Sequence, residues 1–136
     1  MNREILFKAK RKDNGEWIEG CIVIDQSRFD RFKYRIQPIE SGVLYAHPID
    51  PDTLCQYTGL TDKNSKRIWE NDICDRKEKY PEIVVFNKGD WQLDYSYVLE
   101  KEIHTDACNL GFYVCERKCV EVIGNIFDNP ELLEVE

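Results

Sequence analysis

Apolar and polar positions alternate with a period of two along most of this chain, the period of a strand with one buried face rather than that of a helix. Ile5, Phe7 and Ala9 alternate with Leu6, Lys8 and Lys10 and predict a first strand. Asp13-Asn14-Gly15 follows, a turn signal because Asn and Gly tolerate positive φ, and Trp17 to Ile24 supplies a β-branched return strand. The N-terminus therefore predicts a hairpin. Phe32, Tyr34 and Ile36 alternate with Lys33, Arg35 and Gln37 in a further strand that stops near Pro38, and a short strand is expected from Val43 to Ala46. The segment His47-Pro48-Ile49-Asp50-Pro51-Asp52 reads as irregular, because each proline lacks a donor and biases its predecessor to extended backbone. It is the candidate internal boundary, near residues 47–53, of a chain otherwise read as one domain over 1–136.

Beyond it, Leu54 to Thr58 and Arg67 to Trp69 predict strands joined by the polar turn Asp62-Lys63-Asn64-Ser65-Lys66. Glu70-Asn71-Asp72 is a tight turn into Ile73-Cys74, and Ile83 to Phe86 is an apolar run of strand length closed by Asn87-Lys88-Gly89-Asp90. Trp91, Leu93, Tyr95 and Tyr97 then alternate with Gln92, Asp94 and Ser96, the clearest amphipathic strand. Gly111 to Glu116 and Cys119 to Ile126 complete the strands. Asn129-Pro130-Glu131 looks like the start of a short C-terminal helix, with a cap, a proline at the first helical position and an acid at the positive dipole end. The expected class is mainly β (α+β): short antiparallel strands, an N-terminal hairpin extension, and a small barrel in the C-terminal two-thirds whose strand spacing resembles SH3-like barrels, an analogy of fold alone.

Composition narrows the classes. With 136 residues, sixteen of them Tyr, Phe or Trp, the chain has the length and the rings for one packed domain, which argues against disorder. No apolar run approaches the ~20 residues of a bilayer span, and no h-region follows the N-terminus, so neither a membrane nor an export role is expected. A cytoplasmic location follows as an expectation, and there the six cysteines are thiols packed as small hydrophobes. The 26 acids and 19 bases leave a net charge of −7, which disfavours a general nucleic-acid role. The first 35 residues, however, hold nine Lys or Arg against six Asp or Glu, net +3. Lys8, Lys10, Arg11 and Lys12 form one basic stretch, and Arg28, Arg31, Lys33 and Arg35 a second. Both suit solvated strand edges; they are also the candidate contacts for an anionic partner.

His104, Cys108, Cys115 and Cys119 have metal-like composition, but no CxxC knuckle delivers them as close pairs. On a straight strand Cys115 and Cys119 would stand roughly 13 Å apart. No metal and no cofactor is expected. A thiol activated by His47 or His104 lacks any local signature, and the carboxylate pairs Asp50/Asp52, Asp72/Asp75 and Glu100/Glu102 are expected from composition. Nucleotide-binding and hydrolase motifs are absent. Trp91, Tyr95 and Tyr97 read as a core face; if solvent-exposed beside Arg31, Lys33 and Arg35, they would form a stacking platform for single strands.

The blocks Gln56 to Ile73 (QYTGLTDKNSKRIWENDI), Ile83-Val84-Val85-Phe86 and Glu121 to Leu132 (EVIGNIFDNPEL), with the opening Arg3 to Ala9, closely resemble the YopX family. Two departures stand out: Ser65 occupies a turn position where that family usually has glycine, and Asn71 stands where Glu-Gly-Asp is typical. The resemblance implies a phage or prophage accessory protein of the bacterial cytoplasm, mostly β, with no catalytic residue to carry over. With no catalytic motif in the chain, the expected role is non-catalytic binding of an unidentified host or phage protein, with self-association through exposed strand edges also admitted. A nucleic-acid-binding small barrel is the alternative, and a Cys/His enzyme or zinc-binding protein the third reading.

Overall fold

The computed structural model describes residues 3–27, 33–39, 44–98 and 108–134. The chain divides into two compact units, residues 1–57 and 58–136.

In the first unit β1 (Phe7–Lys10), β2 (Trp17–Ile24), β3 (Tyr34–Pro38), β4 (His47–Pro48) and the start of β5 (Cys55–Thr61) lie in the order β4-β3-β2-β1-β5, each pair named here antiparallel. The predicted hairpin is present, with β1 and β2 in register from Lys10–Trp17 to Phe7–Gly20. Gly20 is required by close approach: a Cβ there would collide with the Gln37 carbonyl oxygen on β3. The core of this unit is Ala9, Ile36 and Ile49, all fully buried, with Phe7, Ile18, Ile22 and Tyr34 packed against them.

The proline-rich segment is more regular than the sequence suggests. His47 and Pro48 form β4, opposite Ile36 and Arg35, whereas the expected strand at 43–46 is not one: Leu44 to Ala46 have no regular structure, and residue 43 is outside the described residues. A proline is tolerated there because β4 is only two residues long; away from β3 the Pro48 carbonyl still accepts the Lys12 N–H at 3.1 Å, and Ile49 bridges Arg11. Pro51–Thr53 make one 3-10 turn, capped by Asp50, whose carboxylate accepts the Asp52 N–H at 3.0 Å. Thr53 fastens this turn to β1 by accepting the Lys10 N–H at 2.8 Å.

In the second unit the rest of β5 neighbours β6 (Arg67–Trp69), and a five-stranded antiparallel sheet runs β10-β9-β8-β7-β11. Its strands are β7 (Asp72–Asp75), β8 (Glu82–Asn87), β9 (Asp90–Asp94), β10 (Cys108–Asn109) and β11 (Glu121–Asn125). The β8–β9 hairpin turns through Lys88 (φ 53°) and Gly89 (φ 77°), the two positive φ values of the tight turn that matches strand twist. Ile68, Cys74, Val84, Leu93, Leu110 and Val120 are the core.

Among the described residues no closed barrel is formed. Among the described residues the sheet is open, with β10 and β11 as its edges, and two segments expected to add strand do not. Gly111 to Glu116 is helical, a five-residue π-helical turn over Phe112–Glu116, because the Asn109 carboxamide accepts the Phe112 N–H at 2.8 Å and starts a turn. The strand expected through Tyr97 ends at Asp94, whose carboxylate accepts both the Ser96 N–H and its hydroxyl at 2.9 Å. The short C-terminal helix is likewise reduced to one 3-10 turn, Pro130–Leu133. The Asn129 carboxamide does not cap it; it accepts the Asn125 N–H at 3.2 Å instead.

Two aspartates fix the turns. Asp62 accepts the N–H groups of Asn64 and Lys66 through one oxygen, each at 2.9 Å, and that of Val122 through the other at 2.8 Å. Asp72 accepts the Trp69 N–H at 2.8 Å and closes the turn in which Asn71 takes a φ of 70°. Ser65 also lies in the left-handed region, at φ 66°.

Candidate interaction surface

Strand register decides which of the basic residues share a face. Residues opposite one another in an antiparallel pair share a face, and alternate residues of a strand do too. Lys8 faces Glu19 and Lys10 faces Trp17; on the other side of β2, Cys21 faces Gln37 and Val23 faces Arg35. Lys8, Lys10 and Arg35 therefore lie on one side of the β1-β2-β3 sheet, with Trp17, Glu19, Cys21 and Val23 between them. Ala9, Ile18, Ile22 and Ile36 occupy the opposite, core side. Glu19, Cys21 and Val23 are exposed. Toward β5 the face closes over, since Cys55, opposite Lys8, is buried.

The cations on this face are held. The Lys8 and Lys10 ammonium groups sit 4.7 Å and 5.4 Å from the centre of the Trp17 ring. Such contacts are electrostatic attraction to the ring face and fix the long side chains without neutralising them. Arg35 donates to the Ala46 carbonyl at 3.1 Å, while its buried Nε has no hydrogen-bond partner among the described residues. Lys33 precedes β3 and lies 5.0 Å from the Tyr34 ring.

The remaining predicted contacts separate from this face. Arg11 is engaged locally, its guanidinium donating to both Asp13 oxygens at 2.9 and 2.6 Å. That bond lifts Arg11 above its ordinary value and holds the Asp13 carboxyl below its own. Lys12 is exposed at an open depression of ≈ 460 Å³ shared with Lys10, Arg11, Gly15, Asp50 and Asp52, where two carboxylates offset the cations. Arg28 and Arg31 lie outside the described residues, as does His104.

The thiols and carboxylates are dispersed. Cys108 is half-buried beside Arg76, Cys115 is exposed, and Cys119 lies 3.9 Å from the Tyr113 carbonyl oxygen. Among the described residues no group of three or more His, Cys, Asp or Glu is placed to hold a metal ion. Burial, then the carboxylates of Asp72, Asp62 and Glu82, push the Cys74 thiol far up, the reverse of what a nucleophile needs. His47 packs edge-on to Tyr45 at 4.8 Å. Asp50, Asp72 and Asp75 accept backbone N–H groups and serve turns; Glu100 and Glu102 are outside the described residues. Trp91 packs against Phe86 at 4.9 Å, and Tyr97 donates to the Pro81 carbonyl at 2.7 Å. Tyr95 and Tyr97 have left the strand, so no row of rings continues from Trp91. Sequence reasoning placed the bases on strands but missed Trp17, Cys21 and Val23, whose shared face the alternation from Trp17 to Val23 encodes.

These features define a mainly β protein of antiparallel sheets with little helix, and no described helix is long and apolar enough to cross a membrane. The family model of the YopX protein matches residues 4–134, and the chain belongs to the YopX family. Among solved structures it is similar to the crystal structure of protein EF1440 from Enterococcus faecalis. The two are 25% identical with a TM-score of 0.56, over 98% of this chain and 100% of that one. No curated protein matches.

Proposed function

We propose that this protein is a non-catalytic binding module, a phage or prophage accessory protein of the bacterial cytoplasm, that takes another protein on the solvent side of β1-β2-β3. The observation that supports this reading is the shared face of Lys8, Lys10 and Arg35 around exposed Cys21 and Val23. Cations rimming apolar side chains on a sheet suit a protein partner with acidic and apolar groups. A second copy of the chain is one such partner, since its edge strands are open to pairing. Nucleic acid is the competing reading, because a basic sheet face with an aromatic ring is also a single-strand platform. The Trp17 ring argues against it: two ammonium groups already lie over the ring, where a base would stack.

The test is capture from a bacterial lysate by the full-length chain and by a Lys8→Glu/Lys10→Glu variant of unchanged circular dichroism. The reading predicts a discrete protein retained by the wild type and reduced at least tenfold on the variant. Equal retention by both, or retention of single-stranded oligonucleotide at low salt with no protein captured, overturns it.

A further inference from the structure

Arg76, in the segment after β7, makes four contacts from one guanidinium. Its Nε donates to Glu82 Oε1 at 2.5 Å and its Nη1 to Glu78 Oε1 at 3.0 Å. Nη2 lies 3.5 Å from Cys108 Sγ on β10, and the group sits 4.3 Å from the centre of the Tyr113 ring in the π-helical turn. The two acids differ sharply in setting: the Glu82 side chain is 1% exposed and that of Glu78 57%. Glu82 Oε2 is buried and has no hydrogen-bond partner among the described residues.

This is an incomplete solution to a buried charge. A buried carboxylate persists when both oxygens are satisfied, and leaving one bare costs the desolvation of that atom. A proton on the bare oxygen removes the charge and with it most of that cost. It also removes what draws Arg76 inward, because a hydrogen bond to a neutral carboxyl is weaker than one to a carboxylate. Arg76 would then keep one charged partner, Glu78, on the solvent side.

We propose that the Arg76–Glu82 pair is a proton-operated latch: with Glu82 charged, Arg76 is drawn against Cys108 and Tyr113 and joins β8, β10 and the π-helical turn. With Glu82 protonated, Arg76 swings to Glu78 and releases them. The groups that bear on the latch come from every neighbouring element. Arg76 and Glu78 follow β7, Cys74 on β7 is the registered neighbour of Glu82, Asp94 lies on β9 and Tyr97 just beyond it, and Cys108 and Tyr113 meet the guanidinium. Burial first, with the charges of Glu78 and Asp94, raises the Glu82 carboxyl above the usual 4.5, against the bond and charge of Arg76. Titration thus falls above the ordinary carboxylate value.

The measurement is a nuclear magnetic resonance titration of the full chain, following the Glu82 side-chain carboxyl carbon and the Arg76 Nε–H. The proposal predicts a Glu82 transition above pH 4.5, with the Arg76 Nε–H signal lost and the Tyr113 ring resonances shifted over that same transition. In Glu82→Gln, the Arg76 signal should be absent throughout. Should that variant fail to fold, the wild-type titration decides alone. A Glu82 transition that leaves Arg76 and Tyr113 unmoved overturns the latch, as does a Glu82 carboxyl that stays charged below pH 4.5.

Discussion

Asp62 ties its own turn to β11. It satisfies three backbone donors, two in its own turn and one on β11, while 6% exposed. Burial alone would raise its carboxyl, but the N–H groups of Val122, Lys66 and Asn64 and the Lys66 charge outweigh burial and leave it below the ordinary 3.8. Its contribution to stability is therefore complete above pH 3.8 and is lost as pH falls through the lower folded value. Asp62→Ala leaves the three donors without that acceptor and should destabilise the fold by about 3 kcal/mol at neutral pH, less at strongly acid pH. Urea unfolding at pH 7 and pH 3 checks both the size and the sign; a loss independent of pH would refute the carboxylate's role. Glu82 has the opposite sign. Its value is raised by burial, so its stabilisation is complete below 4.5 and is lost as pH rises through the folded value. The two turn residues that depart from the family pattern also resolve at this scale. Ser65 and Asn71 both hold positive φ, so the turns keep the conformation glycine would adopt without strain.

At the scale of elements, strand existence was legible and strand limits were not. The hairpin at Trp17, the turn at Lys88-Gly89 and the strands around Ile68, Cys74 and Val84 follow from alternation punctuated by Gly, Asn and Asp. Three of the misreadings share one cause, side chains that bond nearby backbone. Asn109 starts a helical turn where alternation promised a strand, Asp94 ends β9 before Tyr95, and Asn129 serves Asn125 rather than the last turn. Hydrophobic period carries no trace of such bonds. Such bonds also leave the sheet open among the described residues, where 95–97 and 111–116 add no strand. The β2–β3 pair offers a clean test of register. Gly20→Ala forces the two backbones apart at Gln37 and should cost more than the ~1 kcal/mol of an average substitution. A denaturation midpoint within error of the wild type would show that β2 and β3 do not approach as described.

For the whole molecule, charge is distributed by unit. Residues 1–57 carry nine bases and nine acids, net 0, whereas residues 58–136 carry ten bases and seventeen acids, net −7. The overall acidity thus belongs to the second unit and says nothing against an anionic partner at the first. It was not legible in the total charge, nor was the candidate surface, which depends on register across β1, β2 and β3 rather than on the clustering of bases in sequence. Lys8 and Lys10 were found as a run; that they share a sheet face with Arg35, twenty-five residues beyond Lys10, is a product of pairing.

Cys21 provides a chemical handle in the middle of that face, because it is exposed and flanked by Glu19 and Val23 on the same side. A photo-crosslinker attached there, with exposed Cys115 replaced by Ser, reports directly what the surface touches in a bacterial lysate. The account predicts one protein adduct formed from Cys21, competed away by unlabelled wild type and lost in the Lys8→Glu/Lys10→Glu background. Adducts only with nucleic acid, or no protein adduct from Cys21, would contradict it.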